Sequence, residues 1–393
     1  MYNSVMDMVH DIVTRGIVNI IPAGKELENL LNSGKKLNIY LGIDPTATRI
    51  HLGHAVPLRK LQTLSELGHN VTFLIGDFTA LIGDTSDKES ERPILTEKEI
   101  EENWKTYKKQ AEKVVDFSNI KVVHNSEWLK KLTFTDIIQL AQHFSVSDFI
   151  GRELIKKRLE EGKHVRLDET LYPVMQGYDS YHLDTDIQLG GPDQTFNMQA
   201  GRILQKNLRN KESYILVTDY LLGTDGRKMS KSWGNAIWLS DEPNEMFGKV
   251  MSLKDELIPQ YFYLATNLED EKVKSKEDAF KNGEHPMKLK LELAARIVGE
   301  LYTVKEAEEA QEHFEKTFSK KTPDYVPSPF YSSDAIGTIS HISGASGSQV
   351  KRLFSQGSVD INGNTITNPN TIEIQVGDNI KVGKRLFVKV CNN

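Results

Sequence analysis

The 393 residues carry 49 Lys and Arg against 55 Asp and Glu, a net charge of −6, with 38% apolar and 26% charged side chains. This is the balance of a folded globular chain of two to three domains, and it excludes wholesale basicity as a route to nucleic acid, so any RNA contact has to be local. The single cysteine, Cys391, excludes an intrachain disulfide or a multi-cysteine metal site and fits a reducing, cytoplasmic setting. No apolar run approaches the ~20 residues of a membrane helix. Asp7 and His10 stand where a signal peptide would carry positive charge.

Residues 1–240 alternate β-rich runs with helical patterns. Leu37–Ile43, Val71–Ile75, Ile120–Val123 and Ser213–Thr218 read as buried strands. Between the first two, Val56, Leu61, Leu64 and Leu67 recur at near-helical spacing over Ala55–Leu67, and Gly68 supplies a stop. Strand, crossover helix and strand imply a parallel sheet with helices on its faces. From about 96 to 185 the pattern turns helical and charged, as in Glu153–Lys163, and reads as an insertion between the two halves of the sheet.

Residues 241–321 are almost wholly helical in pattern. Met287, Leu291, Ala294, Val298 and Leu301 share one expected face, and Ala307, Ala310, Phe314 and Phe318 repeat the habit. A breaker-rich linker, 322–334, holds Pro323, Pro327 and Pro329. Residues 335–393 read as a small separate unit, apolar through Phe354 and then short strands around Asn362-Gly363, a hairpin signal. Counted from Tyr331, this tail has six Lys and Arg against four Asp and Glu, a sign that suits a polyanion.

Two motifs carry chemistry. His51-Leu52-Gly53-His54 follows the first strand and opens the helix, placing two imidazoles beside free backbone N–H groups and the positive end of the helix dipole, which favour a triphosphate. Gly53 leaves room for a flat base against the backbone. Alone, such a tetrapeptide is a weak signal. About 175 residues on, Lys228-Met229-Ser230-Lys231-Ser232 follows the turn Thr224-Asp225-Gly226-Arg227. Two lysines three apart on a Gly-containing approach make a mobile cationic arm, able to close over a leaving pyrophosphate.

Together the two motifs resemble the HIGH-type and KMSKS signatures of the class I aminoacyl-tRNA synthetases. The runs Tyr40-Leu-Gly-Ile-Asp44-Pro-Thr46-Ala, Tyr172-Pro-Val-Met-Gln176-Gly-Tyr-Asp179 and Gly190-Gly-Pro-Asp193-Gln194 are similar to segments of the family's tyrosyl branch. The tail resembles the small RNA-binding module shared with ribosomal small-subunit protein four, so the likeness covers essentially the whole chain. It implies an α/β architecture. A Rossmann-like parallel-sheet catalytic domain would span 1–240, with a helical insertion forming a homodimer interface. An α-helical anticodon-side domain over 241–321 and a small α+β RNA-binding domain over 335–393 would follow. The implied activity is activation of L-tyrosine with ATP, carrying Mg2+, and transfer to tRNA(Tyr). No protein-bound metal, zinc or organic cofactor is expected.

By the same resemblance, Tyr40 and Asp179 would bond the substrate phenol, while Tyr172, Gln176, Asp84 and Gln194 surround its α-ammonium. Asp179 and Tyr172 are seven apart and would share a helical face. Gly42, Asp44, Gly53, Gly191, Met229 and Ser230 would line ATP, and Asp193 would accept from its ribose. Thr46, His51 and His54 would meet the phosphates, with Lys228 and Lys231 arriving as the loop closes. Lys88 and Arg92 resemble a second phosphate-contacting segment, although Thr85 and Asp87 replace its usual Pro and Gly. Pro192 stands where Thr or Ser is usual. Lys351, Arg352, Lys384 and Arg385 are the candidate contacts to the RNA backbone.

Overall fold

The computed structural model describes residues 4–84, 95–229, 233–319, 325–383 and 386–392. Its first half is organised by β1 (Ile17–Ile21), β2 (Asn38–Ile43), β3 (Asn70–Ile75), β4 (Ile120–His124), β5 (Ile187–Gly190) and β6 (Tyr214–Thr218). They form one sheet in the order β1-β6-β5-β2-β3-β4. Every pairing is parallel except that of β1 with β6. Strands covered on both faces read as continuous apolar runs, and Ile39, Leu41, Phe73, Ile75, Leu189 and Leu216 are all buried.

The chain steps outward from β2 to β3 and β4, then returns to lay β5 on the other side of β2. The crevice at the carboxyl ends of β2 and β5 is therefore the switch point, where open α/β sheets take ligands. The four strands expected from the sequence are all present, and β1 and β5 join them. Because β4 pairs with β3, the stretch from 96 to 185 is not insertion throughout: the helix Glu97–Ala111 is a sheet crossover, and the helical excursion starts at Ser126.

The helix Leu52–Glu66 buries Leu52, Ala55, Val56, Leu58, Leu61 and Leu64. It opens within the His51–His54 motif, as expected, with His51 as its cap: the His51 backbone N–H donates to His54 Nδ1 at 3.2 Å. Gly68, at φ +84°, follows its end.

Helices Pro243–Met251, Ile258–Ala265, Asp270–Lys281, Pro286–Leu301 and Val304–Phe314 make up the following stretch. They share one apolar core with the sheet. Two arginines stitch the halves together at the carbonyl end of Ile258–Ala265. Arg15 Nε donates to Tyr263 O at 2.7 Å, and Arg59 Nη2 to Ala265 O at 2.9 Å. The buried face of Pro286–Leu301 is centred on Leu289, Leu293 and Ile297. Of the expected face, Ala294, Val298 and Leu301 are buried, whereas Leu291 is partly exposed and Met287 49% exposed.

The tail has its own core, built on Ile339, Val350, Phe354, Val359 and Ile380. Its sheet runs β7 (Val326–Pro329), β11 (Leu386–Cys391), β10 (Asn379–Val382), β8 (Val359–Ile361), β9 (Asn364–Ile366). The proline-rich stretch expected as linker thus contributes a strand, β7, parallel to β11. Proline is tolerated there because β7 is an edge, and Pro327 and Pro329, two apart, direct their missing donors to the same side. Asn362 and Gly363, both at positive φ, turn β8 into β9 as expected. Among the described residues, no helix is long and apolar enough to cross a membrane.

Candidate active site

At the switch point lies a cleft of about 760 Å³. Backbone hydrogen bonds bring the two distant motifs to it. Leu52 N–H donates to Ile237 O at 2.7 Å and Leu239 N–H to Ile50 O at 3.0 Å, laying the segment after the basic loop along the start of the histidine helix. The cleft is lined by Tyr40, Gly42, Asp44, Thr46, His51, Gly53, His54, Asp84, Tyr172, Gln176, Asp179, Gly191, Asp193, Gln194, Lys228 and Met229. These are all the tyrosine- and nucleotide-group candidates that fall among the described residues. Lys88, Arg92, Ser230, Lys231, Lys384 and Arg385 lie outside the described residues. Lys351 and Arg352 are exposed on the tail helix Gly347–Ser355, whose Val350 and Phe354 face the tail core.

One cluster surrounds a buried acid. Asp179, on helix Leu167–His182, is 2% exposed. Its Oδ1 accepts from Trp128 Nε1 at 2.7 Å and its Oδ2 from Asn125 Nδ2 at 3.1 Å. Burial pushes its pKa up to about 8, against the downward pull of those two hydrogen bonds. Tyr40, equally buried, donates its hydroxyl to Gln188 Oε1 at 3.1 Å, and Gln188 is oriented by donating to Met198 O at 2.9 Å. Burial and the charge of Asp179 hold the Tyr40 phenol far above its ordinary value, so it stays protonated.

Tyr172, on the same helix, donates to Asp44 Oδ2 at 2.8 Å, and Thr79 Oγ1 donates to Asp44 Oδ1 at 2.8 Å. A Cβ on Gly76 would overlap both Asp44 Oδ1 and Thr79 Oγ1, which explains the glycine. Asp84 Oδ2 accepts from Gln194 Nε2 at 2.7 Å and Asn197 Nδ2 at 3.1 Å.

The second cluster is built on the two histidines. Burial, first of all, drives the pKa of His54 down to about 4 and that of His51 well below its ordinary value. Both are neutral at pH 7, so they offer N–H donors without charge. His54 Nδ1 accepts from backbone, which puts its proton on Nε2. Cationic charge comes instead from Lys228, whose Nζ is 3.8 Å from Asp193 Oδ2.

The likeness to known proteins agrees with this geometry. Residues 32–319 match the family model of the tRNA synthetases class I (W and Y). The chain is 41% identical over 402 residues to the tyrosine–tRNA ligase of Carboxydothermus hydrogenoformans, covering 97% of each. It is 40% identical to that of Thermotoga maritima, covering 96% of each. The chain belongs to the class I tRNA synthetases, among the tyrosine–tRNA ligases.

This synthetase shares its fold with a truncated mitochondrial tyrosyl-tRNA synthetase of Aspergillus nidulans, with a TM-score of 0.66 at 20% identity over 81% of this chain and 95% of that one. The tyrosyl-tRNA synthetase of Archaeoglobus fulgidus, solved with L-tyrosine, gives a TM-score of 0.61 at 25% identity, covering 78% of this chain and 100% of that one.

Several residues of the synthetase site escaped sequence reasoning: Thr79 and Tyr220, which line the cleft, and Asn125, Trp128, Gln188 and Asn197, which hold its lining side chains from behind. One signal was present for Asn125, which stands just past the end of β4, at the carboxyl edge where ligands gather. The unusual Pro192 also finds its reason. It is the first residue of the single helical turn Pro192–Gln194, where the missing N–H needs no partner and the fixed φ is already helical. That turn presents Asp193 and Gln194 to the cleft.

Proposed function

We propose that this cleft joins L-tyrosine to ATP as tyrosyl-adenylate and then passes the tyrosyl group to the 3′ end of tRNA(Tyr). The observation that carries the reading is that a single cleft is lined both by Asp179 and Tyr40 and by Thr46, His51, His54 and Lys228. Tyrosine differs from phenylalanine by one hydroxyl. The buried Asp179 carboxyl, which already accepts from Trp128 and Asn125, still has hydrogen-bonding capacity to fill, and phenylalanine would leave it unmet. Asp84, backed by Gln194 and Asn197, and the nearby Gln176 and Tyr172 suit an α-ammonium.

The substrate carboxylate is ionised at pH 7 and needs no general base. Its oxygen bonds to the α-phosphorus of ATP, and the bond to the pyrophosphate oxygen breaks with its electron pair. Catalysis is therefore positioning and charge stabilisation. Thr46, His51 and His54 supply donors, and Lys228 and Lys231 supply charge. A charge-assisted hydrogen bond made only in the transition state is worth ~1.5–3 kcal/mol, or about one to two decades of rate. In the second step a terminal ribose hydroxyl of tRNA attacks the acyl carbon and AMP leaves. ATP arrives with Mg2+ on its phosphates as co-substrate. We assign Gly42, Asp44, Gly53, Gly191, Met229 and Ser230 to the nucleotide, and Lys88 and Arg92 to its phosphates.

The rest of the chain fits the same reading. We assign 1–240 to catalysis, 241–321 to the anticodon side of the tRNA, and 335–393 to its variable arm through Lys351, Arg352, Lys384 and Arg385. Phe134 at 81%, Leu167 at 80% and Val146 at 75% exposure support a homodimer interface on the helical excursion. A role in protein synthesis and the single cysteine suit a reducing, cytoplasmic setting. Incubation with ATP and labelled tyrosine tests the reading: tyrosyl-adenylate should co-elute with the protein and discharge onto added tRNA. Retention of tRNA without any adenylate would overturn it.

A further inference from the structure

Tyr220, two residues past the end of β6, stands half-buried at the carboxyl edge of the sheet, lining the cleft. Its hydroxyl makes two hydrogen bonds to one residue. It accepts from the Asp193 backbone N–H at 3.1 Å and donates to Asp193 Oδ1 at 2.9 Å. Its ring carries the Lys228 ammonium 4.8 Å from its centroid, and that same ammonium lies 3.8 Å from Asp193 Oδ2. One aromatic side chain thus ties the turn Pro192–Gln194 to the first lysine of the basic loop.

We propose that Tyr220 is a positioning residue of the nucleotide subsite, fixing the Asp193 carboxylate for the ribose through its hydroxyl and stationing Lys228 beside that ribose through its ring. The division of labour follows from the chemistry. A phenol that takes up Oδ1 leaves Oδ2, the oxygen nearer Lys228, to accept from the ribose, so the carboxylate presents one defined acceptor rather than a rotating pair. The π face attracts an ammonium without neutralising it, so the lysine keeps its charge for the phosphates. When a ribose hydroxyl donates to Oδ2, the ring still holds the ammonium beside the sugar, within reach of the phosphates of the same nucleotide. The inference rests on the assignment of Asp193 to the ribose.

The test is pyrophosphate exchange at saturating tyrosine, with ATP and with 2′-deoxy-ATP, for the wild type, Tyr220→Phe, Tyr220→Leu and Asp193→Asn. Tyr220→Phe keeps the ring and loses the hydroxyl. It should raise the KM for ATP about ten-fold, narrow the preference for ATP over the deoxy nucleotide, and leave the KM for tyrosine and kcat near wild type. Tyr220→Leu loses the ring as well and should also lower kcat by about three-fold. If Asp193→Asn leaves the ATP kinetics untouched, the ribose assignment itself fails. If Asp193→Asn weakens ATP but Tyr220→Phe matches wild type, or Tyr220→Phe raises both KM values equally, the positioning role is overturned. Equal kcat for the Phe and Leu variants would overturn the role of the ring.

Discussion

Trp128 and Asp179 meet through a single hydrogen bond of 2.7 Å, the indole N–H donating to Oδ1. The indole is itself held by stacking on His182, with centroids 4.4 Å apart. An indole can only donate, so the pair fixes Oδ1 as an acceptor and leaves the rest of the carboxyl group to meet a substrate hydroxyl.

Trp128→Phe keeps the stacked ring and removes the donor. Discrimination between tyrosine and phenylalanine, measured as the ratio of kcat/KM in adenylate formation, should fall by about ten-fold. Tyr40→Phe and Asp179→Ala should lower the same ratio. An unchanged ratio in all three variants would remove the phenol from this pocket.

Lys228→Ala should slow adenylate formation by about one to two decades while the KM for tyrosine barely moves. The ammonium lies beside Asp193 and belongs to the nucleotide cluster, apart from Asp179 and Tyr40. A large loss of tyrosine affinity would contradict the role given to the loop.

His54 makes acid stability a readout. Its pKa in the folded chain is driven down to about 4, below the ordinary histidine value near 6.5. The unfolded chain therefore takes up a proton first as pH falls, and the folded chain loses stability from about pH 6.5 down towards 4. Between pH 7 and pH 5 the share due to His54 is about 2 kcal/mol. In urea unfolding, His54→Asn should lose about that much less than wild type over this interval. Equal losses would show that His54 is not held neutral.

Because β7 pairs with β11, the tail unit begins before the expected 335. Truncation ahead of Tyr325 should remove a whole folding unit, sparing adenylate formation and impairing tRNA charging. Unimpaired charging would show that the tail is dispensable.

Much of this was legible in the sequence because it depends on local pattern. Apolar runs marked β2, β3, β4 and β6, and the two signatures marked the cleft. β5 was missed because it is short, four residues ending in Gly190, and β1 because it is a half-exposed edge. The supports of the site were illegible for a different reason. Trp128, Asn125 and Gln188 reach Asp179 and Tyr40 only through the packing of distant elements, and no spacing rule connects them. The protonation state of the histidines is illegible for the same reason, since it is burial by distant elements that keeps both neutral.

The most direct measurement is exchange of labelled pyrophosphate into ATP, driven in turn by tyrosine, phenylalanine and tryptophan. The account predicts rapid exchange with tyrosine and exchange slower by at least about a hundred-fold with the other two, as expected for a buried acceptor left unpaired. No exchange with tyrosine, or equal exchange with phenylalanine, would contradict it.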